Sequence, residues 1–236
     1  MNNNFYENFD INFDKALELM NKNFSHAELI YFLKNGNTIE KQFAALNIAN
    51  INTQEDANAL ILNLIGCDGK IREASAYKIN TLLTTYPNLK RFFLQPDIFA
   101  KASIDINGNI CRLVIDSTKI LIDDNDFASI YLEYICKFIY ESFEELDKFI
   151  YKNKKYVINK QLFKLYWSLE ALKLFATNLP YKILNPILER AVLEEEYTIR
   201  EKVAQILILT NKEEYLNLKE KIQNDNNYYV KNVFLN

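Results

Sequence analysis

The stretch KFIYKNKKYVINKQLFKLYW, residues 148–167, holds Lys148, Lys152, Lys154, Lys155, Lys160 and Lys164 and not one acid. Tyr151, Tyr156, Tyr166 and Trp167 are interleaved with them. Lysines neutralise phosphates and aromatic rings stack on bases, so this pairing of residue types suits an anionic or nucleic-acid partner. Two observations weigh against that chemistry. No arginine is present for bidentate readout, and the aromatic residues fall at helical spacings that fill a core. A solvated lysine face over a core is the plainer reading. The residues of this stretch that would carry a partner site are Lys155, Lys160, Lys164 and Trp167.

Other chemistry finds little to work with. His26 is the single histidine of the chain, so any Ser-His-Asp or Cys-His mechanism would have to route through it. It stands in SHAEL, where Ser25 followed by Glu28 three residues on reads as a helix capping box. One histidine also excludes a multi-histidine metal site. The acidic runs DDND (Asp123, Asp124, Asp126), EELD (Glu144, Glu145, Asp147) and EEE (Glu194, Glu195, Glu196) lack the central glycine and distal glutamate of a calcium loop. They read as helix N-terminal acids and solvated turns. Cys67, Cys111 and Cys136 are odd in number and show no C-x-x-C spacing, which argues against a disulfide framework or a zinc site. No glycine cluster offers a phosphate loop. The expectation is no metal, no cofactor and no catalytic group.

The elements that would position any site are helices. The chain has 236 residues with 49% hydrophobic and 25% charged residues, but only four glycines and four prolines. An all-β chain with many tight turns would need more of both. The formal net charge of −3 excludes a strongly basic nucleic-acid binder as a whole. The first ten residues, MNNNFYENFD, show no secretory signal, and no apolar run reaches membrane-span length. A cytoplasmic protein without membrane insertion is expected.

A pattern repeats along the chain. CDGKIREASAYKI, INGNICRLVIDSTKI and EEYTIREKVAQIL echo one another. Their β-branched anchors continue as Ile39, Ile71, Ile110, Val157, Ile199 and Val230, about 31–47 residues apart. Five positions after each anchor stands an apolar residue, among them Ala44, Ala76 and Ala204. Small residues at these points let helices approach to the short end of the usual spacing of roughly 8–10 Å. Gly36, Gly66, Gly69 and Gly108 fall shortly before anchors, where a left-handed residue would end one helix. Asp68, Asn107 and Thr198 are placed to cap the next. Between the echoes lie second amphipathic segments such as HAELIYFL, DANALILNLI and YKILNPILERAV. Pro96 is placed at the first turn of its helix. FDKALELMNKN precedes the first pair as a leading helix.

The turn acid or Asn, the following I-R or V-R and the small residue some four positions later resemble the HEAT repeat family. Arg72 in GKIREASA and Arg200 in YTIREKVA match its arginine position, with Ile71, Ala76, Ile199 and Ala204 completing the signature. The resemblance implies an all-α, right-handed α-solenoid of about six helix pairs. Residues 1–23 would form an N-terminal cap and 24–236 the repeats, all in a single domain. It also implies a non-catalytic scaffold that presents a concave surface to a partner protein, with Arg72 and Arg200 in intramolecular contacts with turn acids. Two alternatives share this architecture. One is a HEAT-like alkylpurine DNA glycosylase, but the chain lacks the basic excess and no motif carries that family's catalytic Asp and aromatic residues. The other is a phycobilin lyase-type repeat protein. The family's di-iron hydroxylases need several His-Glu pairs and are excluded.

Overall fold

Each amphipathic segment read from the sequence forms a helix in the computed structural model. The described residues are 14–149, 155–210 and 213–234, the side chains of 149 and 155–157 excepted, and none of them lies in a strand. The chain divides into two compact units, Met1–Ala102 with Asn107–Phe127, and Ser103–Ile106 with Ala128–Asn236.

The first unit contains α1 (14–20), α2 (His26–Asn35), α3 (Thr38–Asn47), α4 (Gln54–Ile61), α5 (Gly69–Thr85), α6 (Pro96–Ala102) and α7 (Gly108–Leu121). Their starts are chemically marked. Ser25 with Glu28, Asn37 with Glu40 and Thr53 with Asp56 form reciprocal capping boxes that satisfy otherwise unpaired N–H groups. Asp68 and Asn107 cap α5 and α7 as expected from their positions. Pro96 opens α6, where its missing N–H costs no helical bond. Helices α3, α5 and α7 pack side by side as one row, and α2, α4 and α6 back them.

Small residues line the crossings in that row. Ala44, Ala45, Ala74, Ser75 and Ala76 are all buried, beside the apolar Ile79, Leu83, Ile110 and Val114. Burying each large aliphatic side chain contributes roughly 1.5–3 kcal/mol, so the row is held by shared apolar edges.

The second unit contains α8 (Asn125–Phe149), whose residues from Ala128 onward belong to it, followed by α9 (Lys155–Leu172), α10 (Tyr181–Ala191), α11 (Tyr197–Thr210), α12 (Leu216–Gln223) and α13 (Tyr228–Asn232). Helix α11 packs against both α9 and α13. Its Ile199, Val203, Ala204 and Leu207 are fully buried, as are Leu165 and Leu169 of α9 and Val230 of α13. The side chain of the anchor Val157 lies outside the described residues, as does Leu235.

Two expected details are corrected. Thr198 is not the cap of α11: it lies inside the helix, and its N–H and hydroxyl both donate to Glu196 Oε1, at 3.3 and 3.1 Å. Nor do Gly36 and Gly66 adopt left-handed backbone, since their φ,ψ values are −68°, 161° and −69°, 169°. Gly36 is required for space instead. A Cβ there would stand 2.6 Å from Phe32 O and 2.8 Å from Glu40 Cβ, whereas one on Gly66 would meet nothing closer than 3.9 Å. Gly69 and Gly108 are the first residues of α5 and α7.

Three substitutions test this packing by denaturant unfolding. Ala76→Asp is expected to lose at least ~3 kcal/mol by burying an unpaired charge. Gly36→Ala should cost about 1–3 kcal/mol through overpacking. Gly66→Ala should be neutral or stabilising by about 0.4–1 kcal/mol, because it restricts the unfolded chain without a clash. Equal effects from the two glycine variants would contradict the close approach at Gly36.

Candidate functional site

The start of α5 is built by one arginine. Asp68 accepts from the N–H groups of Lys70 and Ile71 at 2.8 and 3.1 Å. Arg72 folds back so that its NH1 donates to Gly66 O at 2.9 Å and Cys67 O at 3.0 Å. These bonds fix the turn and therefore the phase of the helix. Ile71, Ser75, Ala76 and Ile79 face inward, which leaves Lys70, Glu73, Ala74 and Tyr77 along one stripe at i, i+3, i+4 and i+7.

That stripe lies in a groove of about 490 Å³. Helix α3 adds Gln42 and Leu46, and α7 adds Asn109, Arg112 and Leu113. Tyr77 is 53% exposed and Leu46 44% exposed, so the groove displays an aromatic ring and an aliphatic side chain to solvent. Its frame is fixed by polar ties between α5 and the start and middle of α7. Glu73 accepts from Asn107 at 3.5 Å and Asn109 at 3.3 Å. Asn80 donates to Leu113 O and Ser117 Oγ, each at 3.3 Å. A groove framed by such ties, with exposed apolar groups, can hold a chain segment at a reduced ordering cost for its backbone.

The groups read for catalysis have structural employment. His26 Nε2 lies 3.0 Å from Asp56 Oδ2, which joins the starts of α2 and α4. Burial pushes the Asp56 carboxyl up, but the His26 bond and the Asn52 and Thr53 donors outweigh it and hold the group below its ordinary value. Burial pushes the Cys136 thiol up to about 11, which suppresses the nucleophilic thiolate. The acidic runs are shared among caps and ion pairs. Asp124 caps the N–H of Phe127 at 2.9 Å, Asp123 pairs with Lys90, and Arg190 joins Asp147 to Glu194 at 2.6 Å each. No three His, Cys, Asp or Glu side chains among the described residues converge on a metal-sized site. No helix among them is long and apolar enough to cross a membrane.

Of the lysine-rich stretch, the side chains from 158 onward, with that of Lys148, are described. Trp167 is only 9% exposed, with Phe163 and Tyr166 ring centroids at 6.2 and 5.3 Å, so it packs inside and does not stack outward. Lys164 Nζ donates to Glu141 Oε2 at 2.8 Å and lies 4.9 Å from the Phe138 ring. Lys160 is exposed, and the Lys155 side chain lies outside the described residues.

Arg200 repeats the work of Arg72 in the second unit. Its NH1 donates to Glu194 O at 2.7 Å and Glu195 O at 2.8 Å, six and five residues back, the same offsets as in the first unit. Its Nε and NH2 meet both oxygens of Asp225 at 2.6 and 3.1 Å, and Asp225 accepts the N–H of Asn227 ahead of α13. Between α9 and α11, Lys202 is 7% exposed and donates to Glu170 at 2.6 Å and Gln205 at 3.1 Å beneath the Tyr166 ring. Burial works against the charge on Lys202, but Glu170 outweighs it and the ammonium pKa is raised. These charges are internally satisfied.

The groove is the feature that sequence reading passed over. Its signal was Tyr77, an aromatic residue on the side of α5 that also carries Lys70 and Glu73. No protein-family model matches this chain, and no curated protein matches it.

The Arg200–Asp225 pair sets an acid dependence. Hydrogen bonding from Arg200 holds the Asp225 carboxyl below its ordinary value. A carboxyl lowered in the folded state contributes stability that is complete above the unfolded value of about 3.9 and is lost as pH falls through the folded one. Asp225→Asn is therefore expected to be less stable than the parent by about 2 kcal/mol at neutral pH, the scale of a charge-assisted hydrogen bond. That gap should close as unfolding is measured at successively lower pH. A gap that stays constant to strongly acid pH would show that the charge of Asp225 is not what Arg200 holds.

Proposed function

We propose that this protein is a non-catalytic interaction scaffold, a HEAT-like helical repeat protein whose α3–α5–α7 row docks a segment of a partner protein. The observation that carries the reading is the fixed groove with Leu46 and Tyr77 open to solvent. Hot spots in protein interfaces are enriched in tyrosine within well-packed surroundings, and helical repeats set their partner through surface residues of each unit. Support for the repeat assignment comes from the identical backbone clamps of Arg72 and Arg200 and from the buried small residues Ala76 and Ala204. A nucleic-acid reading at 148–167 has weaker support, because Trp167 is buried and Lys164 is already paired.

The test is site-specific photocrosslinking in the native cell. A benzoylphenylalanine at position 77 should give a discrete protein adduct that is lost when Leu46→Ser is added. The same probe at Tyr31, exposed on α2, should not give that adduct. Identical adducts at both positions, or none at position 77, would reject the groove as the docking site.

A further inference from the structure

We infer that the segment received by the α3–α5–α7 groove is acidic: an aliphatic peptide flanked by Asp or Glu carboxylates that pair with Lys70 and Arg112. The inference rests on the docking role proposed above and specifies the chemistry of the occupant.

The charges that line the groove point to it. Lys34, Lys90, Lys101 and Lys119 each hold a carboxylate, on Glu55, Asp123, Asp97 and Asp116. Lys70 and Arg112 line the groove without a carboxylate partner among the described residues, and Arg112 reaches only the neutral Asn109 Oδ1, at 3.4 Å. The acid of the groove, Glu73, is engaged by two asparagine amides. One turn along α5 from Ala74, Lys78 is half-buried, also without a carboxylate partner among the described residues, and burial lowers its pKa. Lys70 and Arg112 against Glu73 leave the groove lining with one excess positive charge, in a protein whose formal net charge is −3.

The position of Lys70 adds a second observation. It occupies the first turn of α5, where the helix dipole favours an acid and disfavours a cation by a few tenths to about 1 kcal/mol. Unlike Arg72 and Arg200, which offset such a position by binding turn carbonyls, Lys70 has no side-chain partner among the described residues, and local rules are broken in real proteins chiefly at functional sites. Leu46, Ala74, Tyr77 and Leu113 line the same groove and give it apolar surface. Three adjacent helices at roughly 8–10 Å spacing span about 20 Å, the length of roughly 13 helical residues at 1.5 Å each.

Selection from a display library of random dodecapeptides on the immobilised full chain tests this. The selected peptides are then measured against Tyr77→Ala and against Lys70→Gln with Arg112→Gln, both first confirmed folded by circular dichroism. The expected peptides carry Asp or Glu beside aliphatic residues. Their affinity should fall about tenfold or more in each variant and should weaken as salt is raised. Peptides that need Tyr77 but are neutral or basic, or that ignore the charge variant, would overturn the acidic occupant and leave the docking role standing. A selection with no Tyr77-dependent binder would overturn both. A single-stranded RNA 20-mer bound more tightly than any peptide, with the same dependence on Tyr77, Lys70 and Arg112, would overturn the inference in favour of a polynucleotide.

Discussion

No helix in the α3–α5–α7 row can bury its apolar edge by itself; each depends on its neighbour for that. The constraint falls on residue size at the crossings, where Ala44, Ala45, Ala74, Ser75 and Ala76 let the backbones approach. Close packing makes these positions intolerant of volume in a way that exposed positions are not. Everything on the outward side inherits its position from this contact, because the same phase of α5 that buries Ala76 turns Tyr77 outward. The backbone frame of the groove is therefore set by the core packing beneath it.

The arginine clamp solves a different problem. A helix following a tight turn leaves carbonyls of that turn without helical partners. Arg72 and Arg200 each supply one guanidinium nitrogen to two successive carbonyls at the same distance back along the chain. The two N–H groups of that nitrogen serve both carbonyls, and the rest of the planar guanidinium can bond elsewhere. Within the second unit the clamp also engages Asp225, which links the turn before α11 to the turn before α13. A side chain of this kind is spent on architecture and is withdrawn from any surface chemistry.

Much of the fold was legible because its signals are local. Ser25 with Glu28, Asp68 and Asn107 act within three residues of themselves, and the sequence shows both partners at once. What was not legible depends on contacts between helices. Glycine before a helix suggested left-handed backbone, but at Gly36 the requirement was a missing Cβ beside Phe32 O and Glu40, which depends on how two helices meet. In the lysine-rich stretch the linear chain shows the residue types but not their partners: Lys164 meets Glu141, twenty-three residues earlier on another helix, and Trp167 is turned inward. The groove was legible only through Tyr77, for the same reason. Leu46, Tyr77 and Arg112 come from three helices and share no motif in the linear chain.

The three cysteines differ in a way that bears on how the molecule can be handled. Cys111 is enclosed and the thiol of Cys136 is kept protonated by burial, whereas Cys67 is exposed at the turn before α5. Alkylating reagents act on the accessible thiolate, so maleimide chemistry at neutral pH discriminates among the three without mutagenesis. A fluorophore attached in this way would sit immediately ahead of the helix that carries Lys70 and Tyr77, an optical reporter that the native chain already provides.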